Sequence, residues 1–173
     1  RDGIVAVARP PHRALADLAL PPEPLVAVLE GVQKPGNVGA ILRTADAAGL
    51  DAVVLADPAT DLYNPNTIRA SLGCIFSVPV AAAGTDEVLA WLRDLGLSVV
   101  VARVGAPRRY SDVDYRPGTA IVLGSEASGL TDRWSGPSVD AVRLPMAGLA
   151  DSLSVSAAAA VLFYEARRQR DTP

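Results

Sequence analysis

The residues best placed for chemistry lie late in the chain. From Leu144 to Glu165 the sequence reads LPMAGLADSLSVSAAAAVLFYE. A rigid Pro145-Met146-Ala147-Gly148 turn opens it. The small, hydroxyl-rich run Asp151-Ser152-Leu153-Ser154-Val155-Ser156 follows, and an alanine-rich helix carrying Val161, Leu162, Phe163 and Tyr164 closes it. Asp151 or Ser152 is expected to cap that helix by accepting from the N–H groups of its first turn. Ala157 to Ala160 let another backbone come very close. A tight turn, unspent N–H and C=O groups and a small-faced helix suit the cradling of a polar small molecule. They also suit an ordinary loop and an amphipathic C-terminal helix, and this stretch alone does not separate the two.

Other chemistries are narrowed by what is scarce. The one histidine, His12, argues against a Ser-His-Asp triad or a His-rich metal site. The one cysteine, Cys74, excludes an internal disulfide framework and a multi-cysteine zinc site, and fits a reducing cytoplasm. Both residues read as structural, and no metal is expected. Arginines gather as Arg9 and Arg13, as Arg108, Arg109 and Arg116, and as Arg167, Arg168 and Arg170. The first, beside His12, has a solvated loop as its plain alternative; the second is a candidate basic patch; for the third, cations are also favoured by the macrodipole at a helix C-terminus. The net charge of −3 does not advertise nucleic-acid binding, which would have to rest on such local clusters.

The elements that must position these residues follow from the apolar pattern. The 173 residues suffice for one domain with a sizeable core, and a composition half hydrophobic and a fifth charged is globular. The longest apolar run, Ala157–Tyr164, is far below the roughly 20 residues needed to span a bilayer, and no signal peptide is visible. Ile4–Ala8 reads as a strand, followed by a proline-marked connector with a helical turn around Ala14–Leu20. Leu25–Leu29 is a strand running into a glycine loop, Glu30 to Gly39. A helix from about Val38 to Ala48 follows, stopped by Gly49, and then a strand over Asp51–Ala56. Strand, glycine loop, helix, strand is a βαβ unit, which implies a parallel sheet. Further on, the pattern predicts a helix over Thr67–Leu72, a strand or extended segment over Ile75–Val80, and a helix over Asp86–Leu95. Leu97–Ala102 and Thr119–Leu123 read as buried strands. Between them lies a polar loop, Arg103–Pro117, with room for a short strand. Ala141–Leu144 is the last strand. Trp91 and Trp134 are expected to pack rather than stack on bases.

Three segments in order carry a resemblance: Asn37-Val38-Gly39-Ala40-Ile41-Leu42-Arg43-Thr44-Ala45, Ile121 through Leu130, and Leu144-Pro145-Met146 through Ser156. Together they resemble the three motifs of the SpoU/TrmH branch of the SPOUT superfamily, RNA ribose 2′-O-methyltransferases that use S-adenosylmethionine. Ile68–Phe76 looks like a fourth familiar segment. The likeness covers about residues 25–168. It implies an α/β fold, a mostly parallel sheet flanked by helices, with a deep C-terminal trefoil knot entered after about Leu123. It also implies a cytoplasmic homodimer whose active sites lie near the subunit interface. Residues 1–173 read as one catalytic domain, with a strand and connector over about 1–24. Because the sequence begins at Arg1, an upstream segment is expected, and an RNA-binding domain is one form it would take.

The resemblance also assigns roles. Arg43 would act on the ribose 2′-hydroxyl. As a literal base a guanidinium is awkward, because it stays protonated above a pH of roughly 12. Stabilising the developing alkoxide and gripping the adjacent phosphate is physically easier. Asn37 would orient Arg43 or bond the ribose, with helix capping as its plain alternative. Glu126 would contact substrate or orient the arginine. Gly124, Leu144 and Leu153 match positions that bind the cofactor through backbone groups, with Leu123, Gly129, Met146 and Ser154 beside them. Ser154 departs from the asparagine usual in the family and offers a shorter reach. Arg69, Arg108 and Arg109, with Arg43, are the candidate RNA contacts. Ribosomal RNA is favoured over transfer RNA from the overall likeness. The alternatives are a non-catalytic RNA-binding relative and a Rossmann dinucleotide enzyme, whose G-x-G-x-x-G spacing Gly36 and Gly39 do not make.

Overall fold

The computed structural model describes residues 3, 7, 9–11 and 13–171. The strand expected over Ile4–Ala8 and His12 lie outside the residues described. Among the described residues seven strands form one sheet: β1 (Leu25–Glu30), β2 (Ala52–Ala56), β3 (Val80–Ala83), β4 (Ser98–Ala102), β5 (Arg108–Arg109), β6 (Thr119–Leu123) and β7 (Val139–Arg143). Their order is β3-β2-β1-β6-β4-β7-β5, and every pairing is parallel. The central strands β1, β2 and β6 are buried along their whole length. Their continuous apolar runs, as opposed to alternating ones, reflect cover on both faces.

Among the described residues four α-helices complete the layers: α1 (Pro35–Ala48), α2 (Pro65–Ser71), α3 (Thr85–Asp94) and α4 (Val155–Arg170). One core lies on the α1 and α4 side. It takes Leu25, Ala27, Leu29, Ile121 and Leu123 from the sheet, and Ile41, Leu42, Leu162 and Phe163 from those helices. The other takes the alternate residues Val26, Val28, Ala120 and Val122 against Val88 and Leu92 of α3 and against Trp134. Trp134 is fully buried, as the packing expectation requires. α2 docks tightly on α1 at Gly39, where an added Cβ would lie 2.5 Å from Thr67 O and 2.9 Å from Ser71 N.

Helix ends depart from expectation in an informative way. α1 begins at Pro35, three residues before the expected Val38. Proline is favoured at a first helical position, where its missing N–H has no intrahelical partner to lose. Gly36 and Asn37 therefore belong to the helix and not to its loop. Gly49 ends it in the left-handed region, φ 67°, as expected. α4 is capped by Ser154, whose Oγ accepts from Ala157 N at 3.3 Å, and not by Asp151 or Ser152. Ile75–Val80 is not a strand: Cys74–Phe76 make a 3-10 turn and β3 starts only at Val80. β7 runs Val139–Arg143, so Leu144 is the first residue beyond it. The order places β6 between β1 and β4, which is not the Rossmann arrangement.

Candidate active site

In a parallel sheet, ligands bind outside the carboxyl ends of the strands, where successive connections turn in opposite directions. β1 leads outward to β2 and β3, and the chain then crosses to β4 on the far side of β6. A cavity of about 1070 Å³ opens at the carboxyl ends of β4, β6 and β7. Three loops wall it: Arg103–Gly105 after β4, Gly124–Leu130 after β6, and Leu144–Ser154 after β7. Leu123, Gly124, Gly129, Leu144, Met146, Leu153 and Ser154, the whole expected cofactor set, line it, and so does Glu126. Asn37 and Arg43 do not.

The glycine wall is tighter than the sequence suggests. One use of a glycine beside a cavity is to leave room for a ligand. A Cβ at Gly124 would instead lie 2.3 Å from Gly129 C and 2.5 Å from Leu130 N. The chain's own turn uses that space. Ser125 and Gly129 close the turn reciprocally, Ser125 N donating to Gly129 O at 3.2 Å and Gly129 N to Ser125 O at 2.9 Å. Gly129 sits at φ 67°, a conformation that glycine adopts without penalty.

At one edge of the cavity a polar cluster joins all three motif segments. Asn37 Nδ2 donates to Glu126 Oε1 at 2.6 Å. Ser156 Oγ donates to Asn37 Oδ1 at 3.5 Å, the limit of a hydrogen bond, and lies 3.3 Å from Ser154 Oγ. Lys34 Nζ pairs with Glu126 Oε2 at 2.8 Å. The Lys34 ammonium foremost, aided by Asn37 and the Val155 backbone N–H, holds the Glu126 carboxyl below its ordinary range. Lys34 and Ser156 were not singled out from the sequence. Ser156 stands in the hydroxyl-rich run, two residues after Ser154 and in the first turn of α4. Lys34, one residue before a helix-starting proline, carries no local signal. Asn37 is not a cap: Lys34 occupies that position without a side-chain bond, and Asn37 reaches across to Glu126.

Arg43 is on the exposed side of α1. It stands roughly 9 Å along the axis from Asn37 and about a third of a turn around it, by ideal helix geometry. No salt bridge joins it to a carboxylate among the described residues. Arg69 is exposed and bonds Asn66 Oδ1 at 3.3 Å. Arg108 is ion-paired to Asp140 and donates to Asp112 O at 2.8 Å, while Arg109 is exposed beside it in β5. Arg116 is held by Asp114, whose carboxyl that contact pulls down to about 2. The C-terminal arginines are structural. Arg167 donates to Ala48 O and Gly49 O at the end of α1, each at 2.8 Å. Arg170 serves Tyr115 O, Glu23 O, Pro24 O and Pro117 O. Among the described residues, no group of three or more His, Cys, Asp or Glu side chains is arranged to hold a metal ion, and no helix is long and apolar enough to cross a membrane.

Comparison with known proteins gives this arrangement its context. Residues 24–164 match the model of the SpoU rRNA Methylase family, a span that contains the cavity, Asn37 and Glu126. The chain is 34% identical to a 23S rRNA (uridine(2479)-2′-O)-methyltransferase of Streptomyces viridochromogenes, covering 96% of this chain and 60% of that protein. It is 35% identical to a 23S rRNA (guanosine(2553)-2′-O)-methyltransferase of Bacillus subtilis (strain 168), covering 95% and 64%. A crystal structure of an RNA 2′-O ribose methyltransferase superposes with a TM-score of 0.84 at 45% identity, over 92% of this chain and 62% of that one. An AdoMet-bound rRNA methyltransferase from Sinorhizobium meliloti superposes with a TM-score of 0.86 at 34% identity, over 91% and 61%. The chain thus spans about three fifths of the length of these relatives. With a family match across most of its length and the matching sheet and loops around one cavity, the chain belongs to the SpoU rRNA methylase family.

Proposed function

We propose that this domain transfers a methyl group from S-adenosylmethionine to a ribose 2′-hydroxyl of RNA, with ribosomal RNA as the substrate class. The observation that carries this reading is the cavity at the ends of β4, β6 and β7, with the Asn37–Glu126 pair at its edge. The residues present fit the cofactor. The cavity is at the large end of small-molecule sites, about 300–1,000 Å³. Apolar Leu144, Met146 and Val155 offer surface to a base and a thioether, and loop backbone supplies polar groups. When bound, the cofactor supplies an electrophilic methyl group on a sulfonium.

The chain's residues then have to orient a hydroxyl and polarise it. Glu126 is held ionised by Lys34 and stands as a hydrogen-bond acceptor at the cavity edge. Asn37, tied to Glu126 and Ser156, fixes that carboxylate in place. Ser154 spends its oxygen on capping α4, so it does not replace the reach of an asparagine, and Ser156 stands nearer Asn37. Arg43 stays cationic at any working pH. Its place outside the cavity lining fits a grip on RNA phosphate beside the reacting ribose. The homology to ribosomal RNA enzymes favours ribosomal over transfer RNA. We further read the domain as a cytoplasmic homodimer. Leu72, Phe76 and Tyr164, exposed apolar side chains at the end of α2, just beyond it and on α4, support a second copy as their cover. The loops after β6 and β7 wall the same cavity, which supports a trefoil knot as part of the reading.

Calorimetric titration with S-adenosylmethionine, S-adenosylhomocysteine and NAD tests the cofactor. Transfer of labelled methyl to 23S and transfer RNA, scored as alkali-resistant dinucleotide, tests the reaction. Saturable binding of the two methionine cofactors and label in 23S RNA is the expected result. NAD binding, or cofactor binding with label in neither RNA, would overturn it.

A further inference from the structure

The Gly124–Leu130 wall of the cavity is held from behind by a carboxylate that the reading above does not use. Glu30, the last residue of β1, is 5% exposed, and none of its hydrogen-bond partners among the described residues is a cation. Its Oε2 accepts from Thr131 N at 2.8 Å and its Oε1 from Thr131 Oγ1 at 2.7 Å. Thr85 Oγ1 lies 3.4 Å from Oε1 but 2.7 Å from Asp57 Oδ2. A hydroxyl has one proton, and the shorter contact takes it. Glu30 therefore binds one residue at full strength, through both donors of Thr131.

Thr131 is gripped from its other side by Arg103, the first residue after β4. Arg103 donates to Thr131 O at 2.8 Å, to Leu130 O at 3.2 Å and to Trp134 O at 3.4 Å. The N–H, the hydroxyl and the carbonyl of Thr131 are thus all fixed by ionic groups from two different strand ends. Immediately upstream, Gly129 and Leu130 line the cavity and abut Gly124 with no room for even a Cβ. A shift at Thr131 has nowhere to be absorbed and passes into the wall.

Burying an unpaired carboxylate is costly, and an apolar residue at the end of β1 would fill the same space without that cost. What the charge adds is short, directional bonds to one backbone unit. We propose that Glu30 is a positioning residue of the cavity: acting with Arg103 across Thr131, it sets the geometry of the 124–131 wall and through it the affinity for the small-molecule occupant. Only the affinity part rests on the cavity being the S-adenosylmethionine site.

The test compares Glu30→Ala, Glu30→Gln and Thr131→Val by amide hydrogen exchange and by calorimetric titration of S-adenosylmethionine. Glutamine can accept from Thr131 N–H and donate to its hydroxyl, so it should keep the wall. In Glu30→Ala, exchange over 124–131 should rise by on the order of tenfold, well beyond any change in β2, and cofactor affinity should fall by about tenfold. Glu30→Gln should restore both, and Thr131→Val should show a smaller shift in the same direction. Should Glu30→Ala not fold, Thr131→Val decides. Exchange that is unchanged, or that rises evenly through the sheet and is not rescued by glutamine, makes Glu30 a staple of the fold and overturns the proposal. A looser wall with unaltered affinity overturns its link to the ligand. If the wild-type chain binds no S-adenosylmethionine, the cofactor reading fails, and the exchange comparison still decides the role of Glu30 in the wall.

Discussion

Asn37 Nδ2 donates a 2.6 Å hydrogen bond to Glu126 Oε1 across 89 positions of sequence. This contact ties the first turn of α1 to the loop after β6, and it fixes which way the Glu126 carboxylate faces. Replacing Asn37 with aspartate sets two carboxylates at hydrogen-bond distance, where they cannot both be ionised without cost. Asn37→Asp should lose most methyl transfer, and Asn37→Ala somewhat less, with cofactor affinity changed by less than turnover in both. Single-turnover rates beside binding isotherms make the comparison. Equal losses in binding and rate would place Asn37 in the cofactor site instead.

The Lys34 contact gives a pH prediction with a definite sign. Glu126 has a folded-state pKa below its ordinary value of 4.5. Its contribution to stability is therefore complete above that ordinary value and is lost as the pH falls through the depressed folded value. Between pH 5 and 8 it should be flat. Lys34→Met removes the main cause, so the Glu126 titration followed by carboxyl carbon NMR should move up toward 4.5.

Arg43 and Arg170 should separate cleanly. Arg43 is exposed with no salt bridge to a carboxylate among the described residues, so Arg43→Ala should leave the melting temperature nearly unchanged and lower methyl transfer by about a hundredfold or more. Arg170 satisfies four backbone carbonyls. Arg170→Met should destabilise by about 2 kcal/mol or more, with RNA affinity unaffected. Thermal melts and filter binding on the two proteins distinguish the roles.

The α1–α2 contact has no slack at Gly39. The nearest obstacles to a Cβ are Thr67 O, Ala70 Cβ and Ser71 N, and neither backbone atoms nor a Cβ can rotate away. Gly39→Ala should destabilise by about 1–3 kcal/mol through forced separation of the helices, read as a lower denaturation midpoint.

Thr67, beside that contact, is fully buried and its Oγ1 has no hydrogen-bond partner among the described residues. Thr67→Val keeps the shape and removes an unsatisfied hydroxyl, so it should stabilise by about 1 kcal/mol in the same denaturation experiment.

What the sequence by itself determined is what depends on neighbours along the chain. The apolar runs of β1, β2 and β6 are strands because four or five consecutive apolar residues with glycine or proline nearby have few other places to go. Gly49 ends α1 because its left-handed φ is open to glycine. The order of the three motifs was readable too, and with it the family and the residues that would line the cavity. Tertiary structure alone decided where polar side chains meet. Ser154, not Asp151 or Ser152, caps α4, because the loop after β7 bends at Gly148, Leu149 and Asp151 along the cavity and turns helical only at Val155. Lys34 and Asn37 find Glu126, and Glu30 finds Thr131, only because β6 is inserted between β1 and β4, which brings the loop after β6 over the end of β1. The short reach of a hydrogen bond explains the difference. A helix or strand is set by residues a few positions apart, whereas a 2.6 Å contact between distant loops exists only once the whole sheet has fixed both ends.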